Sequence, residues 1–158
     1  MKRRQFISKG TAGMASLGLM TGMPSNLFAA SNTKLVNMPI GFQTYVLREE
    51  IGKDFIGTLN KMAKMGYEYV EMCSPKGYMG PFEPLTKFSG TELKKMISDS
   101  GMKCNSSHFQ FSELKEHLDD RIDFSQQLGL EHMILAFGLN AATPDELKKN
   151  CADLNAIG

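Results

Sequence analysis

The sequence predicts an α/β fold in which four strand–helix units lay down a parallel sheet, the first four of an eight-unit (β/α)8 barrel. Three observations predict it. Short apolar runs alternate with segments whose apolar residues recur at helical spacing. Gly66, Gly101 and Gly129 each stop a helical segment just before the next strand-like run. The whole strand–helix–glycine unit recurs at roughly 30-residue spacing, the pattern of parallel strands with helices on the sheet faces.

Taken in order, 39–45 reads as a first strand with mixed faces, Gln43 and Tyr45 alternating onto one of them. A helix follows from Asp54, a good cap, to Met65, with Phe55, Leu59, Met62 and Met65 on one stripe. The second strand is 67–72. Residues 74–90, punctuated by Pro75, Gly77, Gly80, Pro81 and Pro84, read as a long loop. Ser89 starts a second helix that buries Leu93, Met96 and Ile97, and 102–108 is a third short strand ending at His108. One longer helix then runs from Phe111 to Leu128, with Leu114, Leu118 and Ile122 spaced for burial and His117 on a solvated face. The fourth strand, 132–137, is the most apolar. Thr143, Pro144, Asp145 and Glu146 open the last helix with a cap, a first-turn proline and first-turn acids. Leu147, Cys151 and Leu154 form its stripe.

No glycine-rich phosphate fingerprint follows any strand, which weakens a dinucleotide-binding open sheet. The last helix is still in phase at Gly158, and a four-strand parallel sheet would leave both edges unpaired. The expectation is therefore the front half of a longer barrel of about 250 residues. The alternative is a complete small α/β domain.

The N-terminus reads as a cleavable export segment over residues 1–30, followed by a polar spacer, 31–38, and the barrel half, 39–158. Arg3 and Arg4 stand before Phe6 and Lys9, and a weak apolar stretch, 11–23, leads to small residues at Ala29 and Ala30. That stretch of about 13 residues is too short for a membrane span of about 20. The arginine pair resembles the twin-arginine export pattern, which implies a periplasmic or secreted location and no membrane contact after cleavage. The leader holds four of the 18 basic residues and none of the 17 acidic ones, so the remainder carries a formal net charge of −3. That balance excludes an ordinary nucleic-acid binder. Three cysteines without CxxC spacing exclude a disulfide framework and a zinc knuckle. A Cys73–Cys104 bridge and free buried thiols both remain open.

Several segments, in this order and spacing, resemble one family. They are 40–48 (IGFQTYVLR), 66–71 (GYEYVE), 89–93 (SGTEL), 101–104 (GMKC) with Ser106-Ser107-His108, and 145–158. The chain resembles the xylose-isomerase-like TIM barrels, the sugar phosphate isomerase/epimerase superfamily, over residues 39–158, and its leader is similar to that of a secreted subgroup. The resemblance implies a site at the C-terminal ends of the strands and a divalent metal (Mn, Mg or Zn). That metal's usual ligands, two Glu, an Asp and a His, belong to strands five to eight and are not in this sequence. It also implies a histidine at the position of His108 that contacts substrate or metal. The zinc endonucleases of the superfamily carry a histidine after the fourth strand, where this chain has Phe137-Gly138.

The candidate substrate-binding residues are His108, Glu71, Gln43 and Tyr45, with no catalytic residue assigned. His108 follows two small serines at a strand end, where a barrel presents groups to substrate. Glu71 closes the second strand, suited to a sugar hydroxyl or to pairing with a nearby cation. A triad through Ser106 or Ser107 is disfavoured, because neighbours on a strand face opposite ways. Arg48 is suited to an anion or a surface ion pair, and the segment with Lys76, Gly77 and Tyr78 to a lid. His132, at the start of its strand, is expected to be structural.

The expected function is an exported sugar isomerase- or epimerase-type enzyme moving a proton with metal assistance, acting on a small-molecule sugar. The alternatives are a non-catalytic carbohydrate-binding barrel and a half-barrel that closes by forming a homo-oligomer. The chain by itself is expected to be inactive and poorly soluble as a monomer.

Overall fold

The computed structural model describes residues 38–158; the leader and the spacer up to residue 37 lie outside the described residues. Four parallel strands form one sheet in sequence order, β1 (Gly41–Gln43), β2 (Tyr69–Cys73), β3 (Ser106–Gln110) and β4 (His132–Phe137). Every crossover between neighbouring strands is helical, as in the first half of a (β/α)8 barrel. Helices α1 (Arg48–Lys53) and α2 (Phe55–Lys64) link β1 to β2. A short α3 (Pro75–Tyr78) and α4 (Gly90–Asp99) link β2 to β3, α5 (Phe111–Glu116) and α6 (Leu118–Leu128) link β3 to β4, and α7 (Pro144–Ile157) follows β4.

The period-two pattern sorts the sheet into an apolar outer face and a polar inner one. Val70 and Met72 on β2 share one core with Leu59, Leu93, Ile97 and Leu128 of the covering helices, and Phe109 on β3 is fully buried as well. Their neighbours Glu71, His108 and Gln110 are half-buried and face the other way. Register then aligns the inner face, with Gln43 opposite Glu71 and Cys73 opposite His108.

Caps fall where the sequence puts them. The Asp54 carboxylate accepts the Gly57 N–H at 2.9 Å at the start of α2. Ser89 with Glu92 and Thr143 with Glu146 form reciprocal capping boxes on α4 and α7. Gly129 ends α6 at φ 82°, the left-handed conformation that costs glycine least. Gly90 has a different reason: a Cβ there would lie 2.5 Å from the Phe124 carbonyl, so glycine is what lets α4 and α6 touch.

The structure corrects five local expectations. The first strand stops at Gln43, and Tyr45 belongs to a 3-10 turn, Thr44–Leu47, because the Gln43 side chain accepts the Tyr45 N–H and bends the backbone. The expected loop after β2 is ordered by α3 and a 3-10 helix, Gly80–Leu85, which buries Phe82 and Leu85 where proline blocks an α-helix. The single helix expected over 111–128 is two, hinged at His117 (φ −138°, ψ 35°). Neither Glu71 nor His108 ends its strand; each is the third of five residues. Met65 is 71 % exposed, past the edge of the buried stripe of α2.

β4 has the expected bounds, yet none of its residues is buried: Met133, Ile134 and Leu135 are half-covered and the other three exposed, and α7 buries none of its residues. Leu147 and Cys151 of the expected stripe are exposed. Among the described residues no helix is long and apolar enough to cross a membrane.

Candidate functional site

Three of the four candidate residues form one hydrogen-bonded relay across three strands. His108 Nε2 lies 2.7 Å from Glu71 Oε1. Gln43 Nε2 lies 3.2 Å from His108 Nδ1 and 3.0 Å from Cys73 Sγ. Gln43 Oε1 accepts the Tyr45 backbone N–H at 2.7 Å, which fixes the orientation of the amide. An amide nitrogen only donates, so Nδ1 of His108 accepts and its proton resides on Nε2, facing Glu71.

The second oxygen of Glu71 accepts the Ser106 hydroxyl at 2.8 Å. Ser106 and His108 share a face, two residues apart, but both bond the carboxylate lying between them. The hydroxyl therefore gives its proton to Glu71 and not to histidine, which is the wrong arrangement for an activated nucleophile. The site instead holds a carboxylate fixed by two donors, with its imidazole partner about a quarter exposed.

Two hollows flank this relay, and Gln43 lines both. The larger, about 530 Å³, lies toward the strand N-termini among Pro39, Gly41, Tyr69 and Asn105. In a barrel that end stabilises the fold, so the chemistry is assigned to the other. The second, about 380 Å³, opens at the strand C-termini among Gln43, Tyr45, Tyr78, His108, Gln110, Ala136 and Phe137. The 3-10 turn carries Tyr45 to this mouth although it is not on the strand. There its ring meets Tyr78 edge-on at 6.0 Å, and Tyr78 meets Phe82 at 6.1 Å. Burial, helped by nearby Cys73, Glu113, Tyr45 and Glu71, pushes the Tyr78 phenol up to about 12, so it stays a hydrogen-bond donor.

The mouth is braced from outside by a group the sequence analysis missed. Glu113 and Arg121, 5 % and 6 % exposed as side chains, pair at 2.7 Å. Glu113 also accepts the Ser74 hydroxyl at 2.7 Å and the Gln110 N–H at 2.8 Å. Gln110 Nε2 in turn donates to the Gly77 carbonyl at 2.8 Å. One carboxylate thus ties the end of β2, the end of β3 and α6 together. In an unbroken helix two residues eight apart sit about 12 Å apart along the axis. The hinge at His117 is what brings these two into contact, so no helical spacing rule signals the pair. Gln110 was legible, since it lies two residues beyond His108 on the same face.

The remaining candidates are engaged elsewhere. Arg48 donates to the Tyr45 carbonyl at 3.1 Å, stands 4.7 Å over the Tyr45 ring and lies 3.7 Å from Glu49. Lys76 pairs with Asp120 at 3.3 Å. His132 begins β4, at the opposite end from the mouth, and is exposed. Cys73, Cys104 and Cys151 are all free thiols.

A divalent metal does not fit this set. Among the described residues no group of three or more His, Cys, Asp or Glu side chains gathers as a ligand cluster. Glu71 and His108 direct at each other the atoms that would face an ion.

Comparison with known proteins follows the fold. No protein-family model and no curated protein matches the sequence. Among solved structures, a sugar phosphate isomerase/epimerase of Parabacteroides distasonis is similar at 23 % identity and TM-score 0.65, over 79 % of this chain and 48 % of that one. A second sugar phosphate isomerase/epimerase from the same organism is similar at 25 % identity and TM-score 0.57, over 75 % and 48 %. The chain thus spans about half the length of the solved structures it matches, and shares with them the half-barrel fold.

Proposed function

We propose that this chain supplies the substrate-holding half of an exported sugar isomerase- or epimerase-type barrel. The observation that carries the reading is the Gln43–His108–Glu71 relay, in which Gln43 and His108 line the C-terminal mouth and Glu71 lines the hollow on the other side. A sugar offers hydroxyls that both donate and accept, and the relay holds an imidazole and a carboxylate side by side, each about a quarter open to solvent, the carboxylate with lone pairs beyond those that Ser106 and His108 use. Gln43 and Glu71 hold the imidazole in one tautomer, so the groups meeting the ligand do not have to reorganise on binding. Residues 39–158 would be the barrel part, and the twin-arginine leader would deliver it outside the cytoplasm already folded.

Titration of ¹³C/¹⁵N-labelled full chain with aldoses and ketoses tests the reading. The His108 ring nitrogens and the Gln43 side-chain amide are expected to shift together on binding. Unmoved His108 signals at saturating sugar would sink it.

A second reading, a non-catalytic carbohydrate-binding barrel, is favoured by one observation: Tyr45, Tyr78 and Phe137 line the same mouth, and Phe137 is 70 % exposed. Solvent exchange separates the two. Deuterium entering a sugar carbon in D₂O, in a barrel completed by four further units and supplied with Mn²⁺, is the isomerase outcome. Tight binding without exchange is the binding-barrel outcome.

A further inference from the structure

We propose that α3 is a small lid over the C-terminal mouth, swinging about Met79 and Gly80, latched shut by Gln110 and uncovering the Cys73 thiol when it opens. The device is built from residues of this chain alone and does not rest on which ligand the mouth takes.

Both flanks of α3 are fixed. Ser74 donates its N–H to the His108 carbonyl at 2.9 Å and its hydroxyl to Glu113 at 2.7 Å, which pins the chain as it leaves β2. On the far side the 3-10 helix buries Phe82 and Leu85. There α1 comes so close that a Cβ on Gly52 would stand 2.4 Å from the Pro81 carbonyl. The turn between them is held lightly. Its side-chain polar ties among the described residues are the Gln110 Nε2 bond to the Gly77 carbonyl at 2.8 Å and the Lys76–Asp120 pair at 3.3 Å. That ion pair is about half exposed on both sides and contributes little, which leaves Gln110 as the latch.

The joint is strained. Met79 has φ 47° and ψ −157°, and it is the one non-glycine residue at positive φ among those described. Only glycine adopts such a backbone cheaply. Burial does not offset the cost, because Met79 is 47 % exposed. Gly80 follows at φ 54° with open space beside it, so rotation there meets no neighbour. A strained residue next to a free one, between a packed element and a lightly held one, marks a hinge biased toward opening.

The lid covers something measurable. Tyr78 packs against the core group that holds Cys73, and Cys73 is fully buried. Gln43 Nε2 lies 3.0 Å from Cys73 Sγ and 3.2 Å from His108 Nδ1. Swinging α3 outward takes Tyr78 off the thiol and out of the mouth. One amide then links the lid to the imidazole.

Thiol labelling reads the lid. The full chain is treated with iodoacetamide at about pH 8.5, and alkylation of Cys73 is followed by peptide mass spectrometry through low urea, beside the urea melt. Cys73 is expected to label through an opening at least about tenfold more populated than global unfolding, and nearly independent of urea, because one swinging turn exposes little surface. Cys73 labelling that follows the urea dependence of the melt would overturn the lid, and this wild-type series decides it even where a variant fails to fold.

Met79→Gly relieves the closed backbone and is expected to slow Cys73 labelling by about fivefold or more. Unchanged or faster labelling would overturn the hinge. Gln110→Leu keeps the bulk, removes the latch and is expected to speed labelling by about fivefold. Unchanged labelling in that variant would overturn the latch.

Discussion

His108 and Glu71, on neighbouring strands, hold each other through a 2.7 Å contact between Nε2 and Oε1, and Gln43 fixes the other ring nitrogen from a third strand. The bond sets which nitrogen carries the proton, and so what the mouth of the half-barrel presents to a ligand.

Glu71→Gln removes the carboxylate while keeping its shape. Both members of the pair are about a quarter exposed, so the stability cost is expected to stay below about 1 kcal/mol. Sugar binding is expected to fall by about tenfold, and the His108 ring to lose its single Nε2–H tautomer in long-range ¹H–¹⁵N spectra. A single tautomer surviving in the variant would show that Glu71 does not direct it.

The Glu113–Arg121 pair is buried, and breaking one side strands a charge. Arg121→Met is expected to destabilise by about 3–5 kcal/mol in urea melts. Adding Glu113→Gln removes the stranded carboxylate and is expected to recover part of that loss, although Ser74 and Gln110 lose a charged acceptor. Equal melts for the single and double variants would argue that the two residues are not coupled.

Gly77 and Gly66 are glycines for different reasons, and alanine separates them. A Cβ at Gly77 would sit 2.0 Å from Glu113 Oε1, inside the braced carboxylate. Gly77→Ala is expected to cost about 2 kcal/mol or more, by displacing Glu113 from Ser74. At Gly66 (φ 96°) the space is open, so Gly66→Ala pays only for its left-handed backbone, about 1 kcal/mol. Thermal melts that reverse this order would contradict the packing around Glu113.

Alkaline pH loosens the fold through the thiols. Burial pushes Cys73 above the ordinary thiol value of 9.0 and Cys104 up to about 11. The unfolded chain releases those protons first, so their contribution to stability is intact below about pH 9 and is lost as pH rises toward 11. For Cys104 the loss is expected to be of order 2 kcal/mol. The checks are a falling urea midpoint between pH 9 and 11, and iodoacetamide labelling of exposed Cys151 well before Cys73 and Cys104.

The sequence by itself determined the alternation of strands and helices, because burial on one face writes a period into the chain that needs no knowledge of partners. The three main caps and the bounds of β4 were legible in the local sequence, whereas Glu71 and His108 were read as strand ends and lie mid-strand. Only the tertiary structure decided what those residues bond. Register alone puts Gln43 beside Glu71 and Cys73 beside His108, and hydrogen bonds between strands carry no signature in local sequence. Tyr45 reached the site by a turn that its neighbour's side chain imposes, not by strand alternation. The Glu113–Arg121 brace was invisible for the same reason: its spacing contradicts any single helix, and only the bend at His117 makes it a contact.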